Sequence, residues 1–389
     1  MKLLLAPDTS DFTNWGCRVM GAWFLRNLAQ MGIPPSWVAP SAWFIRQHPS
    51  LPVLDTLADI RRHAGEVQSG RILQDIAGIL RQCDVVVLNG ENYLRPGAYK
   101  GRMLMFLAYL AAKVYGKPCI LMNHSAELGE PALAEIAAEV YPLLDEVHFR
   151  DDHSAESCAS LVRPGRWKVI PDVAFAVPAA PLSDWGSLGR RPGQFSAWPD
   201  LAEGFDPTRP YVTVCASSIF GQPQHQQLDP APAFARLCRR LNEKVGPVVL
   251  TAPCEPDSAI MRHVQKSTGF PLIGINLPVR QAIDIVGNAA VHVGGRWHPG
   301  IFAATGGTPT VALGANSHKM HSLMRILDMD GPVFDALHLD AHIEAIVGQA
   351  ESMLAAGAPL RQRLLERSRE FGAKVERNLD WLRTMNVRA

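Results

Sequence analysis

The chain reads as an α/β protein built from two open domains with parallel sheets. Three observations predict this. At 389 residues it is longer than one ordinary hydrophobic core organises. Short apolar runs alternate with segments of helical period along most of its length, the pattern of successive β-α units. That alternation breaks once, between residues 178 and 210, where Pro, Gly and Ser gather with little periodicity. The predicted organisation is an N-terminal domain over 1–177, a linker with local turns over 178–210, and a C-terminal domain over 211–389.

In the first half, apolar runs predict strands over 2–6, 84–88, 118–122, 146–149 and 168–170, with helices near 18–31, 71–81, 101–115, 131–141 and 154–161. Met103 to Ala112 is the longest apolar stretch, too short for a bilayer and read as a buried helix. The second half predicts strands near 211–216, 247–250, 290–293 and 309–313, with helices around 232–244, 257–268, 280–286 and 299–305. A charged helical tail follows over residues 340–381. Open sheets gather ligands at the carboxyl ends of their strands, so a central cleft faced by both sheets is the expected site.

Composition excludes several classes. The chain is 47% hydrophobic and 19% charged, the balance of a folded globular protein. Its 38 basic and 37 acidic residues leave a net charge of +1, no field to draw in nucleic acid. Seven scattered cysteines, odd in number and never spaced C-x-x-C, read as thiols in a reducing compartment, with no disulfide framework and no zinc site. The opening Met1–Asp8 is too short for a signal peptide, and no run reads as a transmembrane segment, so the cytosol is the expected location.

Polar residues placed just after strands carry the functional signal. The strongest group is Gly294-Gly295-Arg296-Trp297-His298-Pro299-Gly300, a glycine turn between a buried strand and a helix start. A helix start already offers N–H groups and partial positive charge to an anion. Arg296 and His298 add side-chain donors there, and Lys319 returns a further cation from the neighbouring loop. Together they read as a socket for a small, multiply charged anion. Four other clusters follow strands in the first half. Asn14 and Gly16 lie in the loop after the first strand, read either as a ligand loop or as a capped turn. Asn89-Gly90 follows the second predicted strand and fits a turn as well as a site. His124 follows the third, either satisfied structurally or touching substrate. Arg150 leaves the fourth strand as a fixed guanidinium suited to a carboxylate or phosphate, unless it pairs with Asp172.

In this order the clusters resemble the polysaccharide pyruvyl transferase family. The resemblance rests on the early N-x-G loop (Asn14 to Gly16), on Asp84 to Gly90, and on Arg150-Asp151-Asp152-His153-Ser154 with Pro171-Asp172-Val173-Ala174-Phe175. It continues with Arg296-Trp297-His298, Ala303 to Pro309 and Lys319, spanning about residues 1–330. It implies two Rossmann-like domains in a GT-B-like arrangement. It also implies phosphoenolpyruvate as donor and a glycan or glycan precursor as acceptor in polysaccharide biosynthesis. The pyruvate would be carried onto a sugar hydroxyl pair as a ketal, without a cofactor or a metal. On this resemblance Arg296 and His298 are the catalytic pair. Arg150, Lys319 and Gly295 join them in handling the donor, and Asn14, Gly16, Asn89, Gly90, His124 and Asp172 line the acceptor side in the N-terminal half. Two departures stand out: Cys17 follows Gly16 where many members carry aspartate, and Asn123-His124-Ser125 is more polar than the family's glycine-rich turn.

Two rivals remain. A GT-B glycosyltransferase using a nucleotide sugar often carries a glutamate in the helix after the late glycine turn, where this chain has Phe302-Ala303. A non-catalytic glycan-binding protein would have no need of the charged set. For an enzyme acting on lipid-linked precursors, contact with the inner face of the membrane is open, although no amphipathic anchor stands out.

Overall fold

The computed structural model describes residues 1–44, 51–329 and 331–386. The chain runs β1 (Leu3–Ala6), α1 (Trp15–Gln30), β2 (Trp37–Val38), α2 (Leu57–Gln68), α3 (Gln74–Gln82), β3 (Val85–Leu94), α4 (Tyr99–Tyr109), β4 (Cys119–Ala126), α5 (Pro131–Val140), β5 (Glu146–Phe149), α6 (Asp152–Cys158) and β6 (Trp167–Val169). It continues with α7 (Leu182–Leu188), β7 (Ala197–Trp198), β8 (Val212–Ser217), α8 (Ala231–Lys244), β9 (Val248–Thr251), α9 (Glu255–Thr268), β10 (Leu272–Ile273), α10 (Val279–Gly287), β11 (Val291–Gly295), α11 (Trp297–Thr305), β12 (Thr310–Ala312), α12 (Lys319–Ile326), α13 (Ile343–Val375) and α14 (Asp380–Asn386).

Two compact units result. The first comprises Met1–Asp11, Met20–Val173 and the segment from Lys374 onward; the second comprises Phe12–Val19 and Ala174–Ala373. The start of α1 therefore groups with the second unit, and the C-terminal helix α14 with the first.

The first unit holds a six-stranded sheet in the order β2-β1-β3-β4-β5-β6, parallel throughout. A parallel sheet is covered on both faces, so its strands are continuous apolar runs, and Val85-Val86-Val87-Leu88 is fully buried. The long apolar run forms α4, buried at every residue from Gly101 to Tyr109. Asp151 caps α6 by accepting from the Ser154 N–H at 2.8 Å, and a capping box of Thr56 and Asp59 opens α2.

The second unit holds another six-stranded sheet in the order β12-β11-β8-β9-β10-β7, parallel except for the antiparallel edge strand β7. Helix α8 shows why its segment is helical: Phe234, Leu237, Cys238 and Leu241 fall on one buried face at helical spacing. Each sheet reverses its strand order once, between β1 and β3 in the first and between β8 and β11 in the second. Those are the points where such sheets bind ligands.

The expected strands all form, and three short ones join them. β2, β7 and β10 are too brief to show a period, and two of them lie at sheet edges. The stretch expected to be a linker contains α7 and β7 and groups with the second unit. β3 and β4 run on through polar residues, so Asn89-Gly90 lies inside a strand and is not a turn. No helix among the described residues is long and apolar enough to cross a membrane.

Three histidines among the described residues are buried within the sheets, His292 and His124 among them. His292 on β11 has Nδ1 3.0 Å from Thr213 Oγ1, and burial pushes its pKa down to about 3. His124 on β4 is likewise pushed down to about 3, first by burial and then by the Arg150 guanidinium. An unfolded chain protonates such rings near pH 6.5, whereas the folded chain keeps them neutral to about 3. The unfolded state thus binds more protons across this window. Their contribution to stability is full above pH 6.5 and falls as pH drops toward 3. Urea unfolding measured from pH 6 to 5 should show this decline, and His292→Leu should make its slope shallower. An unchanged slope would mean that the His292 ring is not held neutral.

Candidate functional site

In the second unit the site grows from the carboxyl ends of β8 and β11. Gly295 closes β11, and a Cβ there would sit 2.5 Å from Ser217 Cβ and 2.8 Å from the Gly314 carbonyl oxygen. Only glycine lets the three strand ends approach so closely. The Ser217 hydroxyl donates to that same carbonyl. Arg296 then takes the N-cap position of α11 in an extended conformation, and its own side chain makes no cap hydrogen bond.

The Arg296 side chain is 15% exposed and is not a lone cation. Its Nε donates to Asp257 Oδ1 at 2.9 Å, and its Nη2 donates to the same oxygen. Burial by itself would loosen the guanidinium proton, but the Asp257 carboxylate, with smaller contributions from Cys254 and Cys215, more than offsets this and raises the pKa. Asp257 stands in the first turn of α9, just past the end of β9, and is wholly buried.

His298 is the second residue of α11 and is half-buried. The backbone of Gly16 packs against its ring so tightly that a Cβ on Gly16 would stand 1.9 Å from His298 Nδ1. Gly16 is held there by its neighbours. Trp15 donates through its backbone N–H to the Pro253 carbonyl at 3.0 Å and through Nε1 to the Ile275 carbonyl at 3.1 Å. Arg18 Nη2 donates to the Ile275 and Leu277 carbonyls at 2.8 and 2.9 Å, and Asn14 Oδ1 accepts from the Cys17 N–H at 3.2 Å. Asn14 and Gly16, expected on the acceptor side of the N-terminal half, thus sit in the second unit, with Gly16 against His298.

Lys319 opens α12 and donates through Nζ to Asn316 Oδ1 at 2.8 Å. That oxygen also accepts from Ser218 Oγ at 3.0 Å, and Ser218 Oγ lies 3.4 Å from the Gly295 carbonyl oxygen. A short polar chain therefore ties Lys319 to the residue before Arg296. The structure brings Gly295, Arg296, His298, Lys319 and Gly16 to one edge of one sheet. Asp257, Ser217, Ser218 and Asn316 belong to the same edge and escaped the sequence reading, although Ser217-Ser218 follows a strand as visibly as Asn89-Gly90 does.

The first unit has its own polar cluster. Asn89 is wholly buried and donates through Nδ2 to Glu91 Oε1 at 3.3 Å. Gly90 packs on the His124 ring, whose Nε2 is 2.7 Å from the Tyr141 hydroxyl. Glu91 and Asn123 have φ of 44° and 53°, left-handed values that non-glycine residues rarely adopt and that cluster at functional sites. Arg150 is 2% exposed. Its Nη1 donates to Asp172 Oδ2 at 2.7 Å and its Nε to Ser125 Oγ at 2.8 Å. Ser125 Oγ donates to Asp151 Oδ2 at 2.6 Å, Ser154 Oγ donates to the same oxygen at 2.9 Å, and Ser154 Oγ accepts from the Ala126 N–H at 3.0 Å. The Arg150-Asp151…Ser154 motif thus joins the ends of β4 and β5 to the start of α6. Arg150, expected to handle the donor, is in the buried pair with Asp172 that the sequence reading held as its alternative. Asn89, His124 and Asp172, expected in an open cleft, are wholly buried. No group of three or more His, Cys, Asp or Glu able to hold a metal ion occurs among the described residues.

A family model described as polysaccharide pyruvyl transferase matches residues 47–317. No curated protein matches the chain in sequence. Among solved structures the chain is similar to S. aureus MnaA with UDP, at 13% identity and a TM-score of 0.61, over 98% of this chain and 96% of that one. It is similar to the UDP-GlcNAc 2-epimerase from Neisseria meningitidis bound to UDP-GlcNAc, at 10% identity and a TM-score of 0.59, over 99% and 100%. It is also similar to Anabaena HepE in complex with UDP, at 11% identity and a TM-score of 0.52, over the full length of both. At these identities the likeness shows the fold, which is GT-B-like with a long helical C-terminal segment.

Breaking the buried Arg150–Asp172 pair tests its structural role. Arg150→Met removes the cation that faces the buried Asp172 carboxylate and should cost about 3–5 kcal/mol in urea unfolding. Arg150→Met with Asp172→Asn removes both charges and should recover a large part of that loss. Equal losses in the single and double variants would show that the pair is not what Arg150 supplies.

Proposed function

The chain belongs to the polysaccharide pyruvyl transferase family and is a transferase, and from that premise we propose that it moves the pyruvate unit of phosphoenolpyruvate onto a pair of sugar hydroxyls as a ketal. The observation that carries this reading is the edge of the second sheet. Arg296, His298 and Lys319 are there only partly buried, around the start of α11. A donor with a carboxylate and a phosphate suits that set, since cations and a helix start stabilise both groups and the departing phosphate.

The chemistry balances on one proton donated and one removed at a time. C3 of the enol gains a proton, C2 gains a C–O bond to each hydroxyl, and the C2–O bond to phosphate breaks. One hydroxyl proton replaces that delivered to C3, and the other leaves with the phosphate. His298, packed on Gly16, is the residue we assign to proton transfer, with Arg296 and Lys319 on the donor's anionic groups. Gly295 and Gly16 let the backbone approach. The acceptor is a glycan or glycan precursor. Arg150 is left to structure. Seven free thiols, six of them buried, support a reducing cytoplasm. No cofactor enters the proposal.

A second reading is a nucleotide-sugar glycosyltransferase, favoured by the UDP and UDP-GlcNAc in the three similar structures. Calorimetry with phosphoenolpyruvate, UDP, GDP and CMP separates the two. Phosphoenolpyruvate should bind the wild type, and Arg296→Ala should weaken that binding sharply while leaving it measurable at high ligand concentration. His298→Asn should keep part of the binding while turnover collapses. Nucleotide binding with no response to phosphoenolpyruvate would move the chain to the second reading.

A further inference from the structure

The buried carboxylate behind Arg296 has no place in the chemistry above. Asp257 holds Arg296 through a single oxygen, Oδ1, which accepts from both Nε and Nη2. One edge of the guanidinium is thus occupied, and Nη1 is the terminal nitrogen that Asp257 does not take. Resting on the donor reading, we propose that Asp257 is a positioning residue: it pins Arg296 at the start of α11 so that the guanidinium presents its remaining edge to the anionic donor.

Three observations support this. Arg296 is an N-cap residue with no capping role of its own, so its side chain is free of the helix and needs another anchor. Among the groups that act on the guanidinium, Asp257 is the one carboxyl group, and burial pushes the Cys254 thiol up to about 12 and the Cys215 thiol up as well. Asp257 is itself fixed, wholly buried in the first turn of α9 beside the end of β9. An arginine without such an anchor reaches for solvent and must be re-ordered each time a ligand arrives, a cost in side-chain entropy that a preset geometry avoids.

The two effects of Asp257 on an anion have opposite signs. As a positioner it tightens binding; as a nearby negative charge it weakens binding. A purely structural counter-ion would show the second effect alone, so the direction of change decides the matter.

The test is calorimetry of phosphoenolpyruvate on wild type, Asp257→Asn, Arg296→Ala and the double variant. Asp257→Asn is expected to weaken binding by about tenfold or more even though it removes a negative charge. The double variant is expected to bind no worse than Arg296→Ala alone, since Asp257 acts through Arg296. Binding by Asp257→Asn equal to or tighter than wild type would overturn the proposal, as would losses that simply add. If Asp257→Asn does not fold, Asp257→Glu displaces the carboxylate by one methylene and should show the same non-additive weakening. If the wild type ignores phosphoenolpyruvate, the donor reading fails by itself, and the same proteins titrated with inorganic phosphate judge Asp257. Phosphate binding that depends on Arg296 and weakens in Asp257→Asn keeps the positioning role. Phosphate binding indifferent to Asp257, or no Arg296-dependent binding of either anion, ends it.

Discussion

The contact between the Gly16 backbone and the His298 ring constrains the second unit more than any other. No side chain fits between them, since a Cβ would fall 1.9 Å from Nδ1. The close approach leaves the imidazole little room to turn on that side. It also explains why the first turn of α1 is fastened so heavily: Trp15 and Arg18 together donate four hydrogen bonds to backbone carbonyls of Pro253, Ile275 and Leu277. If that turn drifted, the ring would lose its backing. The glycine at the end of β11 works to the same end, bringing three strand ends close enough for α11 to start between them.

The first unit settles its charges differently. Its arginine is sunk at 2% exposure and satisfied by Asp172 and Ser125, and its histidine is held neutral by burial. Such a network fixes the ends of β4 and β5 and the start of α6 as one piece, because each member is costly to leave unpaired. Rigid strand ends of this kind can hold Glu91 and Asn123 at left-handed φ, which the local chain would otherwise relax.

Much of this was legible in the sequence. Strands with continuous apolar runs, such as Val85 to Leu88, and the fully apolar α4 announce themselves by composition and length. The late Arg296/His298 turn was legible for the same reason, as cations set against a glycine after a buried strand. What escaped was pairing across long separations. Asn14 and Gly16 are near the N-terminus yet group with Ala174–Ala373, and no local pattern reports that. Asp257 lies 39 positions before Arg296, and its role exists only once β9 and β11 are placed in one sheet. Two-residue strands such as β2 and β7 were lost because a period of two needs more residues to appear.

The arginines of the two units make the larger point. Arg150 and Arg296 both follow buried strands, and both suit an anion by sequence alone. Each proves to have an aspartate partner, so the presence of an ion pair does not separate structure from function. Accessibility does. The Arg150 side chain is 2% exposed and its aspartate 0%, whereas the Arg296 side chain is 15% exposed while Asp257 behind it stays at 0%. A carboxylate that is deeper than its arginine anchors the cation without covering it. A carboxylate buried as deeply as its arginine, as Asp172 is with Arg150, neutralises the cation inside the fold. That asymmetry of depth is why the functional reading follows Arg296 and leaves Arg150 to the architecture.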